Sequence, residues 1–210
     1  MHELAPALWG FSAALAEGRF VDACRQAQLI LQEFRFRQIV SQVLPSLDEV
    51  QLHWTGQLHL GFLLAAEAEA DFLQAVSQHG WRPAARFPSQ IAARELAHRA
   101  GQPELATSIC KLVGPKGWAL EAFIPQLPRS TVESWTAQGV VTHLGMELSQ
   151  RQGLDLLLRH CIHGPFRPAD FLQGELGLNE GQEILVLYLD GLLSGVPLRL
   201  EFCVSSKGGT

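Results

Sequence analysis

The sequence predicts an α+β fold built from two βαβββ-like repeats, preceded by an N-terminal helical region. Three observations predict it. Residues 58–64 read Leu-His-Leu-Gly-Phe-Leu-Leu, and residues 142–148 read Thr-His-Leu-Gly-Met-Glu-Leu, with His59 and His143 84 positions apart. His79-Gly80 and Phe87 return as His163-Gly164 and Phe171 at that same spacing, around an Arg-Pro-Ala core offset by one residue. Leu120-Glu121 returns as Leu200-Glu201, 80 positions on. Any one match is within the reach of chance, but three in one order at nearly one spacing point to a duplicated supersecondary unit.

Each copy has the same predicted layout. A strand carrying the histidine comes first, over Gln57–Ala65 and over Val140–Leu148. A helix follows, over Glu67–Gln78 and over Gln150–Cys161, and in the first copy Phe72, Leu73 and Val76 fall on one helical face. A Gly/Pro turn and a short extended piece come next, and a strand containing Leu-Glu closes the copy. The second copy has a further apolar strand, Glu183–Asp190. At the corresponding place the first copy has a helical stretch, Gln90–Ala100, and Ala106–Val113 supplies the matching strand.

Residues 3–46 differ from both copies. Trp9, Phe11, Leu15, Phe20, Cys24, Leu29, Leu31, Phe34, Ile39 and Val43 recur at roughly helical spacing. They predict two or three helices that pack on the sheet or on a partner. The expected division is therefore a helical region over 1–50, a first repeat over 51–126, a second over 127–204 and a small, Gly-rich tail over 205–210.

Composition bounds the function. Of the 210 residues 47% are hydrophobic and 18% charged, which excludes global disorder. A net charge of −5 with no long basic run argues against nucleic acid as the main partner. The densest apolar stretch, Leu58–Ala66, is far too short to span a bilayer, so no membrane partner is expected. The first residues carry no basic segment of a signal peptide, and the expected location is the cytoplasm. Cys24, Cys110, Cys161 and Cys203 are scattered without a Cys-x-x-Cys pair, as reduced structural thiols are. There is no Gly-rich phosphate loop, and the five tryptophans are not interleaved with basic residues.

The chemistry lies in strand parity. Side chains alternate faces along a strand, so Gln57, His59, Gly61 and Leu63 share one face, as do Val141, His143, Gly145 and Glu147. On the closing strands Ala119, Glu121 and Phe123 share a face, and so do Arg199, Glu201 and Cys203. Two histidines and two glutamates thus hold equivalent places in the two copies. If the copies pair about a pseudo-twofold axis, all four can converge. Imidazole nitrogens with carboxylate oxygens suit a divalent ion such as Fe, Mn, Ni or Zn. An open coordination position would then serve to polarise a substrate carbonyl or to bind oxygen.

Alternative readings of these residues stand beside that one. His59 and His143 can be half-buried strand histidines with hydrogen-bond partners. Glu121 sits in an apolar strand, where a core-facing carboxylate is costly unless paired or metal-bound. Arg199, two residues before Glu201, can neutralise it or can hold a substrate carboxylate. His53 is a rival ligand, but the turn-like Thr55-Gly56 separates it from His59. His160-Cys161-Ile162-His163 fits no closed zinc site. The repeated His-Gly at 79 and 163 reads as a helix C-terminus, where glycine and a basic side chain are both favoured.

A duplicated βαβββ unit with His on its first strand and Glu on its last resembles the vicinal oxygen chelate superfamily, over roughly residues 56–204. That superfamily includes glyoxalase I, extradiol dioxygenases and bleomycin-resistance proteins. The resemblance implies two repeats forming a cupped mixed sheet. It implies His59, Glu121, His143 and Glu201 as ligands by the glyoxalase I pattern, and His59, His143 and Glu201 by the dioxygenase pattern. The function it implies is a metal-dependent enzyme, a lyase, isomerase or dioxygenase, acting on a small 2-oxo acid or catechol-like molecule. Glu121 or Glu201 would act as base and Arg199 would bind substrate. The bleomycin-resistance branch implies the alternative, a metal-free module that binds a small molecule or a protein. The N-terminal helices would then serve a partner or a homodimer.

Overall fold

The two predicted copies emerge as two strand paths of the same form. The computed structural model describes residues 4–33, 36–43, 52–161, 166–170, 177–179, 184–193 and 196–205. In chain order the elements are α1 (Leu4–Ala16), α2 (Phe20–Glu33), α3 (Phe36–Val43), β1 (Trp54–Leu63), α4 (Glu69–Ser77), β2 (Arg82–Pro88), α5 (Gln90–Ala100), β3 (Thr107–Val113), β4 (Ala119–Pro125), α6 (Arg129–Ala137), β5 (His143–Leu148), α7 (Arg151–Cys161), β6 (Arg167–Pro168), β7 (Gly177–Asn179), β8 (Ile184–Leu193) and β9 (Val196–Ser205). The chain divides into two compact units, Met1–Glu33 with His59–Thr142, and Phe34–Leu58 with His143–Thr210.

In the first unit the strands run in the order β2-β3-β4-β1. β2, β3 and β4 are antiparallel neighbours, and β1 pairs with β4 in parallel, His59 opposite Ala119 and Gly61 opposite Glu121. In the second unit the order is β6-β8-β9-β5, with β7 also on β8. β8 and β9 are antiparallel, and β5 pairs with β9 in parallel, Gly145 opposite Glu201. In both units, then, the first strand of a βαβββ path lies parallel to the last. The observed class is α+β, two such repeats with helices ahead of them.

The N-terminal helices are amphipathic in the way their spacing predicts. On α2, Phe20, Ala23, Cys24, Ala27, Ile30 and Leu31 are buried, one face of a helix. In the first unit α1 packs on α6 and α2 on α4. Ring contacts mark the seam: Phe11 meets Phe62 of β1 edge-on at 5.2 Å, and Phe20 meets Phe72 of α4 at 5.6 Å. Gly18 (φ 71°) closes α1, and the Arg19 N–H returns to the Ala14 carbonyl at 2.8 Å. In the second unit Phe36 of α3 stacks on Trp54 at 4.6 Å.

Several boundaries differ from expectation for local reasons. β5 starts at His143, not Val140, because Val141 adopts a left-handed φ of 64° and the Thr142 N–H bonds back to Gly139. Val141 therefore does not share the strand face of His143. α6 is not apparent in the sequence, since it buries only Val132 and Thr136, and the Thr136 hydroxyl is spent on the Val132 and Leu63 carbonyls. Ser205, expected in a frayed tail, is the last residue of β9. α5 occupies the predicted Gln90–Ala100, capped by the Ser89 hydroxyl on the Ala92 N–H and closed by left-handed Gly101. His79-Gly80 is a helix end, with Gly80 at φ 80° and the Trp81 N–H on the Val76 carbonyl. Its counterpart His163-Gly164, together with Phe171 and residues 206–210, lies outside the described residues.

A packing device recurs in the two units. Trp81, just before Arg82-Pro83, lies against Gly114, where an added Cβ would come within 2.3 Å of the indole. Phe166, just before Arg167-Pro168, lies against Gly191, where an added Cβ would come within 2.6 Å of the ring. A rigid aromatic seated on a glycine cannot give way without moving the strand. Gly114→Ala and Gly191→Ala are each expected to cost about 1–3 kcal/mol by overpacking, as measured by urea denaturation.

The cysteines are structural. All four are free thiols, and Cys24, Cys110 and Cys161 are buried. Burial pushes the Cys24 thiol up to about 11, partly offset by the neighbouring Trp81 side chain. A raised thiol carries less thiolate at a given pH and reacts more slowly. At pH 8 iodoacetamide is therefore expected to label Cys24 at least about tenfold more slowly in the native protein than in urea.

Candidate metal centre

The first unit places His59 and Glu121 together. β1 is buried on both faces from Leu58 onward and β4 is buried throughout, so both side chains project into a protein interior. His59 is 7% and Glu121 8% exposed. The parallel register sets His59 opposite Ala119, two positions from Glu121 on the same face. His59 Nε2 lies 3.8 Å from Glu121 Oε2. Gly61, directly opposite Glu121, adds no side chain between them. The Lys111 ammonium, on β3 directly opposite Glu121, lies 3.1 Å from Glu121 Oε1.

The second unit repeats the pair more tightly. His143 is fully buried and Glu201 is 5% exposed. His143 Nε2 lies 3.2 Å from Glu201 Oε2. Here Gly145 is the residue opposite the glutamate. The antiparallel neighbour of Glu201 on β8 is Tyr188, whose ring meets the His143 imidazole edge-on at 5.3 Å. A carboxylate at this burial is costly unless a partner balances it, and each glutamate has an imidazole there.

Arg199 has a defined position. Its Nε and Nη2 donate to the two oxygens of Asp190 at 2.6 and 2.8 Å, a bidentate fork across the β8–β9 register. Its guanidinium also lies over the Tyr188 ring, 5.5 Å from the centroid. The fork that sequence reasoning offered to Glu201 or to a substrate thus faces Asp190. His53 is exposed, with a left-handed φ of 51°, and precedes β1; its carbonyl accepts from the Ser149 N–H and hydroxyl. Cys161, at the end of α7, is buried, and its thiol donates to the Leu158 carbonyl at 3.2 Å.

Lys111 and Tyr188 were not singled out from sequence. Each neighbours a glutamate only through antiparallel register, which the repeat alone does not specify. The signal available was their place on the strand that precedes each Leu-Glu strand, Lys111 ten residues before Glu121 and Tyr188 thirteen before Glu201.

Among the described residues no helix is long and apolar enough to cross a membrane. No protein-family model and no curated protein matches the chain. Solved structures do resemble it. A variant of Streptomyces coelicolor methylmalonyl-CoA epimerase, in complex with 2-nitronate-propionyl-CoA, is 12% identical with a TM-score of 0.44, covering 76% of this chain and 99% of that one. A mutant of 4-hydroxymandelate synthase from Streptomyces coelicolor is 11% identical with a TM-score of 0.42, covering 70% of this chain and 47% of that one. A glyoxalase family protein from Bacillus cereus is 12% identical with a TM-score of 0.28, covering 70% and 92%. All three are vicinal oxygen chelate superfamily members, the superfamily that the sequence resembles. At these identities and TM-scores they add nothing about reaction or substrate, and the fold assignment rests on the strand paths described above.

Proposed function

We propose that the chain is a metal-dependent enzyme of vicinal oxygen chelate type, with ligands drawn from His59, Glu121, His143 and Glu201. The observation that carries this reading is the buried His–Glu pair found on the first and last strand of each unit. The donor set fits the group: two neutral imidazoles and a carboxylate suit Fe²⁺, Mn²⁺, Ni²⁺ or Zn²⁺. When bound, such an ion supplies Lewis-acid polarisation of substrate oxygen.

The remaining roles belong to the chain's own groups. Lys111 engages Glu121 Oε1 and leaves Oε2 on the side of His59. Glu121 Oε2 is then the acceptor for a proton from the carbon beside a substrate carbonyl, and it returns that proton to the product. Tyr188 supports the His143 ring, and Asp190 anchors Arg199 over Tyr188. Substrates of this class are small 2-oxo acids or catechol-like molecules, with no membrane or nucleic-acid partner and with location in the cytoplasm.

The test is reconstitution with each of the four ions, followed by two assays. Exchange of substrate α-hydrogen in D₂O, followed by NMR, is the result expected for proton transfer on a 2-oxo acid. Oxygen uptake with a catechol would assign the dioxygenase chemistry instead. Absence of both activities with every ion would overturn the enzyme reading. A second reading is supported by the self-sufficiency of each His–Glu pair, with Lys111 and Arg199 already engaged. It is a metal-free module that binds a small molecule or a protein on the same scaffold, and it predicts that His59→Ala leaves binding of that partner intact.

A further inference from the structure

We infer that the outer face of the α1–α2 hairpin is a homodimer interface, covered by a second copy of this chain about a two-fold axis at Leu29. α1 carries no charged residue and a single hydroxyl, that of Ser12. A helix that is apolar on every side belongs in an interior. Its inner face is in one, since Leu8, Phe11, Ala14 and Leu15 are buried. Its outer face is not, since Trp9 is 47% exposed. Gly10 backs onto α2, where an added Cβ would lie 3.7 Å from the Gln26 side chain. The outer face of α2 carries Leu29, which is 49% exposed. Large apolar side chains left open on two packed helices mark a surface that a partner covers.

Charge identifies the partner as a second copy. Val21, Arg25, Leu29 and Glu33 follow one another at four-residue spacing and all are exposed, so they form one ridge of α2. The ridge has a cation and an anion at equal distances on either side of Leu29. An antiparallel copy turned about Leu29 sets each Arg25 against the partner's Glu33, while Leu29 meets its own image. Such self-complementarity is what an isologous two-fold contact requires. Both charges are available for it. Glu33 has no ion pair among the described residues. It also ends α2 with no basic residue in the last turn, where a carboxylate opposes the helix dipole and an incoming cation is favoured. Arg25 reaches Asp22 only at 3.5 Å with both side chains well exposed, and the other oxygen of Asp22 holds Arg19. Exchanging that contact for Glu33 costs little.

The size of the face sets the strength. Helices of 13 and 14 residues side by side present a surface about 20 Å long and about 20 Å wide. That lies at the small end of specific interfaces, so the dimer is reversible, with a dissociation constant on the order of 10 μM. None of the candidate metal ligands lies in α1 or α2, so the interface stands or falls separately from the metal reading.

The experiment is sedimentation velocity of the purified full chain from about 1 to about 200 μM, a range that brackets this affinity. Circular dichroism checks that each variant is folded. The wild type is expected to pass from monomer to dimer across the range. Leu29→Glu and Trp9→Ala are each expected to raise the dissociation constant at least about tenfold. Arg25→Glu and Glu33→Arg are each expected to weaken self-association about tenfold, because like charges then face each other. An equimolar mixture of those two variants is expected to recover the dimer, because each charge then meets its opposite in the partner. That recovery requires positions 25 and 33 to meet across the interface. A wild type that stays monomeric throughout would overturn the inference and leave the face to a different protein. A dimer unchanged by a folded Leu29→Glu, or single charge variants that do not recover on mixing, would also overturn it. If Leu29→Glu does not fold, the mixing experiment decides alone.

Discussion

Phe62→Ala is expected to lower the unfolding free energy by about 3–5 kcal/mol, the range for truncating a large aromatic in a close-packed core. Phe62 lies in β1 and is fully buried. Its ring meets Phe11 of α1 at 5.2 Å and Phe72 of α4 at 5.4 Å, both edge-on, and Phe72 in turn meets Phe20 of α2. Each such pair contributes about 0.5–1.5 kcal/mol beyond the area it removes from water. One ring therefore ties α1 and the crossover helix α4 to the strand that carries His59, and α2 joins the cluster through Phe72. Leu192→Ala, at a side chain 59% exposed, is the control and is expected to stay within about 0.5 kcal/mol of wild type. A loss below about 1 kcal/mol for Phe62→Ala in urea denaturation would show that the N-terminal helices are not part of this core.

His143→Ala is expected to weaken divalent-metal binding by on the order of 100-fold or more. The imidazole is fully buried, its ring is steadied by Tyr188, and its Nε2 faces Glu201 at 3.2 Å. Its removal also leaves a carboxylate at 5% exposure without that imidazole, so a fall in melting temperature is expected alongside. His143→Gln separates the two effects, since an amide can still donate to Glu201 but is a poor ligand. It is expected to recover stability relative to alanine without recovering metal affinity. Recovery of both, measured by calorimetry and thermal melting, would make His143 a structural residue.

The legible part of this protein is what a duplicated sequence and a two-residue strand period can carry. The recurring His-Leu-Gly and Leu-Glu name His59, Glu121, His143 and Glu201 as residues at equivalent places in the two copies. Which histidine lies near which glutamate depends on the parallel pairing of first and last strand, which puts His59 near Glu121 and His143 near Glu201 within each unit. α2 was legible in the helical spacing of its apolar residues, and α5 as a helical stretch over Gln90–Ala100. Other features depend on register or on shape, which a single sequence does not encode locally. Lys111 and Tyr188 acquire their neighbours only through antiparallel pairing. Arg199 pairs with Asp190 across a hairpin, nine residues away. Nothing in the sequence marks Gly114 and Gly191 as the glycines against which the rings of Trp81 and Phe166 lie. Val141, a β-former by type, takes a left-handed φ and delays the start of β5.

The central claim is that these histidines serve a metal. It is tested most directly by the metal content of the tag-free protein after reconstitution, measured by mass spectrometry beside the double variant His59→Ala/His143→Ala. The account predicts close to one equivalent of divalent metal in the wild type and none in the double variant, with both proteins folded. A wild type that takes up no Fe²⁺, Mn²⁺, Ni²⁺ or Zn²⁺, or a double variant that retains as much metal as the wild type, would contradict it.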